Sequence, residues 1–235
     1  NFKEQVRHLS KGGFQAIDFY DIDTITANGK YIILTFDDGW RGNYKYSLPI
    51  LKDYKFKAIY FITTSFIGKP GYMNWGEVKG LADQGMSVQS HCVTHRPLQL
   101  LNDEEVYEEL SRSKQRIEMV TKKEVIALSF PHGSYNENVC SIAARIGYRI
   151  LCTSDIILTY RETFTSKPSI IGRVNIKEGM SLRKYKMMIE YNPFVIFIEA
   201  LIKETKNWVK GLIGINNYRR LYRRIYNIKD PDSIS

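Results

Sequence analysis

The chain has 235 residues, of which 43% are hydrophobic and 13% aromatic, and it carries a formal charge of +9. That composition suits one compact domain with a sizeable core and excludes a low-complexity or disordered chain. Three cysteines (Cys92, Cys140, Cys152) are an odd set, two of them in or beside apolar segments, so a disulfide framework is not indicated.

The chain begins at Asn1, and Phe2 to Gly13 reads as an amphipathic helix, not a signal peptide. The apolar run 31–36 predicts a strand, and it ends in Asp37, Asp38, Gly39 and Trp40. Open α/β and barrel enzymes deliver the last side chains of such strands to a pocket mouth. Two adjacent carboxylates repel each other, and a bound cation would relieve this. An ordinary strand followed by an Asp-Gly turn reads the same segment equally well.

Further along, the pattern predicts helices over 42–54, 75–84, 102–120 and 136–146. Strands are predicted over 58–63, 87–90, 125–130, 148–154 and 170–176. Asn102 is a natural N-cap for the helix at 102–120, with acidic residues in its first turn to suit the helix dipole. Alternating β and α units imply a parallel sheet with right-handed crossovers. Directly after the strand at 87–90 stand His91 and His95, two of only four histidines. Their spacing puts both imidazoles within reach of one ion. One carboxylate and two imidazoles leave positions open for water, as a catalytic zinc-type site requires. Cys92, between them, reads as packing.

The C-terminal region differs in character. Residues 203–229 hold eight Lys/Arg against one acid, Glu204, interleaved with Trp208, Leu212, Tyr218, Leu221, Tyr222 and Tyr226 at helical spacing. The apolar run 194–198 before them is too short to span a bilayer. A basic amphipathic helix with interfacial aromatics suits peripheral membrane contact through 194–228, or anionic glycans; a helix packed on the core with solvated charges fits the same pattern. Nucleic acid is not expected as a partner. The chain therefore divides into a catalytic domain over 1–190 and a basic helical extension over 191–235.

At these motifs the sequence resembles the polysaccharide deacetylase family, the carbohydrate esterases that share the NodB homology domain. Thr35-Phe36-Asp37-Asp38-Gly39 matches the family's first motif and Ser90-His91-Cys92-Val93-Thr94-His95 its second. Ser129-Phe130-Pro131-His132-Gly133-Ser134-Tyr135-Asn136 resembles the third, often Arg-x-Pro-Tyr-Gly. The resemblance covers roughly residues 1 to 180. It implies an α/β fold, a distorted (β/α) barrel of about seven parallel strands with all motif residues on one face. It implies that Asp38, His91 and His95 hold one divalent metal ion, zinc first, with cobalt or nickel as alternatives. Asp37 would be the general base towards a water on that ion. Pro131 and Gly133 would shape a turn whose backbone N–H helps hold the oxyanion, with Trp40 and Tyr135 on the substrate side.

Two positions depart from the family pattern. Residue 129 is serine where an arginine often orients the base, and the late Leu-x-His motif that supplies a general acid has no counterpart, since no histidine follows His132. The corresponding segment 170–176 offers Arg173. In this the chain is similar to the subgroup that deacetylates poly-N-acetylglucosamine in biofilm exopolysaccharides. His132 would then be the candidate acid, or a substrate contact, and Arg173 would orient Asp37 or bind a sugar.

The activity implied is removal of N-acetyl groups from N-acetylhexosamine units of a polysaccharide or glycolipid precursor. An O-acetyl glycan esterase and a catalytically weak carbohydrate-binding relative are the alternatives. Free cysteines lean weakly towards the cytoplasmic face of a membrane, or to a secreted or periplasmic enzyme if a signal has been removed.

Overall fold

A computed structural model describes residues 1–157, 159–165, 168–214 and 217. Packing divides the chain into two compact units, residues 1–178 and 179–235.

The first unit opens with α1 (Phe2–Lys11), which buries Val6 and Leu9. A short strand follows, β1 (Phe14–Ala16), then a 3-10 turn over Phe19–Thr24 capped by Asp18. Neither of these was legible in the sequence pattern. The expected strand at 31–36 is one extended segment that changes partner midway. Its first part, β2 (Lys30–Ile32), pairs parallel with β1, and its last part, β3 (Thr35–Phe36), pairs parallel with β4 (Ile59–Ile62). The carbonyl of Leu34, at the changeover, accepts the amide of Ile59 at 2.8 Å.

The main sheet continues with β5 (Ser87–Ser90), β6 (Ala127–Ser129), β7 (Ile150–Cys152) and β8 (Ser169–Ile171). Six strands lie side by side in chain order, β3 to β8, every neighbouring pair parallel. They curl as a half-barrel of the expected distorted (β/α) type, with β1 and β2 as a separate pair. No backbone ladder joins β8 back to β3 among the described residues. Strands β4 and β5 are buried on both faces, as parallel strands covered by crossover helices must be. The core between them is apolar, with Ile59, Phe61, Ile126, Ala127, Ile150 and Ile171 in one cluster. Between β5 and β6 only one pair, Ser90 and Leu128, is in register. Buried Gln89 supplies what the ladder lacks, because its side-chain oxygen accepts the amides of Ile126 and Ala127 at 2.9 and 2.8 Å.

Of the four crossover helices, α3 (Trp75–Asp83), α4 (Asp103–Thr121) and α5 (Glu137–Ile146) follow the sequence pattern closely, while α2 (Leu48–Asp53) covers part of the span expected to be helical. Asn102 caps α4 as expected, its side chain accepting the Glu105 amide while Glu105 returns a bond to the Asn102 amide. Asn74 and Glu77 do the same for α3. The expected helix at 42–54 departs from regularity, winding as a π-turn over Asn43–Ser47. Pro49 has no amide for the α ladder, and the Leu48 amide bonds five residues back to Asn43.

The last expected strand, 170–176, stops at Ile171. There the backbone of residues 155–157 crosses so closely that a Cβ on Gly172 would stand 2.4 Å from the Asp155 carbonyl oxygen. That carbonyl instead accepts the Arg173 amide at 2.8 Å.

The second unit contains α6 (Leu182–Ile189), capped by Ser181, and α7 (Pro193–Ile213), capped by Asn192. The basic and aromatic residues from Tyr218 to Lys229 lie outside the described residues.

Candidate active site and metal centre

Every motif residue leaves the C-terminal end of a sheet strand. Asp37 and Asp38 follow β3, His91 and His95 follow β5, Pro131, His132 and Gly133 follow β6, and Arg173 follows β8. The backbone is bent hard at these points. Asp38, Cys92, His95 and His132 all have φ between 58 and 73°, a region that non-glycine residues seldom occupy. Such outliers gather where a site requires a particular side-chain direction. At Asp38 the bend is a three-residue turn in which the Gly39 amide bonds to the Asp37 carbonyl at 3.0 Å.

The bend aims Asp38 Oδ1 at both imidazoles, 3.4 Å from His91 Nε2 and 3.2 Å from His95 Nε2. The three ligand-capable atoms lie within 4.8 Å of one another. Buried His91 has its other ring nitrogen, Nδ1, 2.7 Å from the Ser129 carbonyl oxygen. A carbonyl can only accept, so Nδ1 carries the proton of the neutral ring and Nε2 presents a lone pair. Burial holds the His91 pKa below its ordinary value despite the charges of Asp37 and Asp38. A neutral imidazole lone pair thus faces a buried carboxylate oxygen that has no hydrogen-bond partner.

Two lone pairs facing each other repel unless a cation lies between them. Ligands at about 2.1 Å from a tetrahedral ion stand roughly 3.4 Å apart, close to the spacings found here. Asp38, His91 and His95 therefore fit a divalent metal, and the other oxygen of Asp38 is steadied by the Trp40 indole N–H at 3.2 Å.

Asp37 sits beside this cluster, its Oδ2 at 4.0 Å from His91 Nε2. Arg173 grips it with two parallel bonds, Nη1 to Oδ1 at 2.8 Å and Nη2 to Oδ2 at 2.9 Å. The same guanidinium donates from Nε to the Thr153 carbonyl and from Nη2 to Ser129 Oγ, and Ser129 Oγ donates on to Asp37 Oδ2 at 3.2 Å. Burial pushes the Asp37 carboxyl up, but the Arg173 guanidinium and these hydrogen bonds outweigh it and hold the group below its ordinary value. Asp37 is an ionised carboxylate held in place by these bonds. Ser129, at the place where the family often has arginine, takes part by joining the arginine that arrives from β8.

The remaining sequence candidates divide. His132 is exposed, and its ring meets that of His95 edge-on at 4.5 Å. Gly133 packs tightly, since a Cβ there would lie 3.2 Å from Ser154. Its amide bonds within the turn to the Phe130 carbonyl at 2.9 Å, so the Gly133 N–H itself closes the turn. Tyr135 lies flat on Phe130 at 4.8 Å and joins the Asp–His cluster by no hydrogen bond or ring contact among the described residues.

The sequence reading missed Glu109. This buried residue of α4 accepts the amides of Val93 and Thr94, each at 2.8 Å, and the Thr94 hydroxyl. It thereby fixes the loop that carries both histidines. The available signal was an acid on the buried face of α4, one turn from Val106 and Ser113 and next to Leu110.

Known proteins resemble this chain in sequence and in fold. The sequence profile described as "Polysaccharide deacetylase" matches residues 24–151, a stretch that includes Asp37, Asp38, His91, His95 and Ser129 but not Arg173. The Bacillus subtilis (strain 168) protein described as "Putative polysaccharide deacetylase YxkH" is 26% identical over 194 residues, 80% of this chain and 68% of that one. Among solved structures, the Streptococcus pyogenes deacetylase PplD in complex with acetate superposes with a TM-score of 0.72 at 24% identity, covering 80% of this chain and 84% of its own. BC0361, a polysaccharide deacetylase from Bacillus cereus, gives a TM-score of 0.72 at 27% identity, covering 80% of this chain and 60% of its own.

Proposed function

Since this chain belongs to the polysaccharide deacetylase family, we propose that it is a metal-dependent hydrolase acting on N-acetylhexosamine units of a polysaccharide or glycolipid precursor. The observation that carries the reading is the convergence of Asp38 Oδ1, His91 Nε2 and His95 Nε2 beside an ionised Asp37. A divalent cation held by that trio, zinc first with cobalt or nickel as alternatives, would supply Lewis-acid activation of a water and of the acetyl oxygen.

The chain's own residues would do the rest. Asp37 receives the proton of the attacking water at a carboxylate oxygen, worth about 10²–10⁴-fold for a well-placed base. Arg173 and Ser129 keep that carboxylate charged and aimed while it waits. The departing sugar amine needs a proton, and exposed His132, next to His95, is the imidazole available to give it.

The amide reading is tested by acetate release from an N-acetylglucosamine oligomer set against release from O-acetylated xylan. Faster turnover of the amide supports deacetylation, and an ester-only enzyme overturns it.

A peripheral membrane contact belongs to the same proposal. Phe194, Phe197, Leu201, Trp208 and Leu212 of α7 are spaced by three, four, seven and four residues, and each is at least 47% exposed. No helix among the described residues is long and apolar enough to cross a membrane. An apolar stripe on a helix whose sequence also holds Lys203, Lys206 and Lys210 suits the surface of an anionic bilayer. Co-sedimentation with phosphatidylserine vesicles, lost on Phe194→Ser with Trp208→Ser, supports this; equal recovery without vesicles contradicts it.

A further inference from the structure

Beside the metal trio runs a row of aromatic rings that the hydrolytic chemistry does not use. Phe66 stands 5.9 Å from His95, Tyr72 stands 4.8 Å from Phe66, and Trp40 stacks on Tyr72 at 4.3 Å with the planes 21° apart. The row returns to the site through the Trp40 N–H, which bonds to Asp38 Oδ2. Trp40 is nonetheless 46% exposed, two residues from a metal-ligand position.

The indole is braced from three directions. Tyr72 backs one face. The N–H anchors one edge. The backbones of the two residues form a bridge flanked by the Arg41 amide on the Gly71 carbonyl and the Met73 amide on the Gly39 carbonyl, both at 3.0 Å. Gly71 itself has φ +84°. A rigid aromatic plane of this kind loses little conformational freedom when a ligand covers it, and so retains most of the energy of burying its surface.

We propose that the Trp40–Tyr72 pair is a sugar-binding platform that stacks a pyranose ring of the glycan next to the unit being deacetylated. The axial C–H faces of a hexosamine are apolar and match the exposed indole, while its hydroxyls remain in water. The enzyme thereby prefers an oligomer over a monosaccharide. This inference rests on the deacetylase reading above and adds to it the need for a neighbouring sugar.

The test measures calorimetric binding of an N-acetylglucosamine pentamer, and of the monosaccharide, to zinc-loaded Asp37→Asn protein. Trp40→Ala, Trp40→Phe and Tyr72→Ala are added singly to that background, and acetate release from the pentamer by the wild type is recorded alongside. Trp40→Ala should weaken the pentamer about tenfold or more, Tyr72→Ala should weaken it less, and Trp40→Phe should retain most of the affinity. The monosaccharide should change little, and Tyr72→Ala, which leaves the Trp40–Asp38 bond in place, should keep its zinc. Pentamer affinity untouched by Trp40→Ala and Tyr72→Ala, with acetate still released by the wild type, overturns the platform alone. Equal weakening of pentamer and monosaccharide also overturns it. Binding that depends on Trp40 without any acetate release upholds the platform and overturns the amide reading. Absence of both binding and release overturns both.

Discussion

Arg173 and Asp37 leave the two opposite edges of the six-stranded sheet, yet they meet in a two-pronged ion pair at 2.8 and 2.9 Å. With no backbone ladder between β8 and β3 among the described residues, this pair is a link where the curled sheet stays open. The fork geometry holds both carboxylate oxygens, which a lysine cannot do. Arg173→Lys should lower kcat/KM about 10- to 100-fold, the usual cost of losing an orienting partner. The pH profile separates this from a merely structural loss. In the folded protein Arg173 outweighs the upward push of burial on Asp37, so its removal raises the pKa of the base. The acid limb of kcat/KM should move to higher pH in Arg173→Gln, which takes the charge away, and an unmoved limb would count against the assigned role. Gly172→Ala should shift the same limb, because its Cβ has no room beside the Asp155 carbonyl.

His91→Ala and His95→Ala should each lose bound zinc and acetate release together, measured by elemental analysis after dialysis. Unchanged zinc in either variant removes that residue from the ligand set. For His91 the effect should be the more disruptive to folding, because its ring is buried and bonded to the Ser129 carbonyl.

Glu109→Gln keeps the shape but not the charge that gathers the Val93 and Thr94 amides. A loss of about 2 kcal/mol in unfolding free energy is expected from weakened bonds to a buried acceptor. Zinc affinity, read by competition with a chelator at a temperature where the variant is fully folded, should fall about tenfold or more. Unaltered affinity would show that the loop holds its shape without the glutamate.

Away from the site, Lys57 donates to both oxygens of Asp21, at 2.8 and 2.7 Å, and ties the 3-10 turn after β1 to the start of β4. Burial pushes Asp21 up, but Lys57 and the Asp18 amide outweigh it and lower its pKa; burial pushes Lys57 down, but Asp21 outweighs it and raises its pKa. A lowered acid stabilises above its unfolded pKa, and that contribution is lost as pH falls through the folded value. A raised base stabilises below its unfolded pKa, and that contribution is lost as pH rises through the folded value. Asp21→Asn should therefore cost about 0.5 kcal/mol at neutral pH, a modest figure because Lys57 is 45% exposed. The difference from wild type should vanish once the pH drops below the Asp21 pKa. A difference that persists in acid would assign the effect to packing.

Much of the site was legible because its signals are local. An apolar strand ending in Asp37-Asp38, and two histidines four apart after another strand, single out the residues that the fold brings together without tertiary knowledge. Arg173 could be only an alternative in the sequence, since its partner lies 136 residues away and its direction depends on the crossing at Gly172. Glu109 was hidden in a helix rich in surface acids, where only the buried face distinguishes it. In the fold, β1 and α6 were missed because three residues of strand and eight of helix give too little periodicity. The π-turn before α2 answers to Pro49 and cannot be seen in a hydrophobic pattern.

In the proposed mechanism Asp37 is the base beside a metal held by Asp38, His91 and His95. Its most direct test is acetate release from an N-acetylglucosamine oligomer by chelated protein, by protein reloaded with zinc or cobalt, and by reloaded Asp37→Asn, with zinc content measured in each. Release is expected only after reloading, with a fall of at least about a hundredfold in Asp37→Asn at unchanged zinc. Wild-type turnover in the variant, or full activity in the chelated protein, would contradict it.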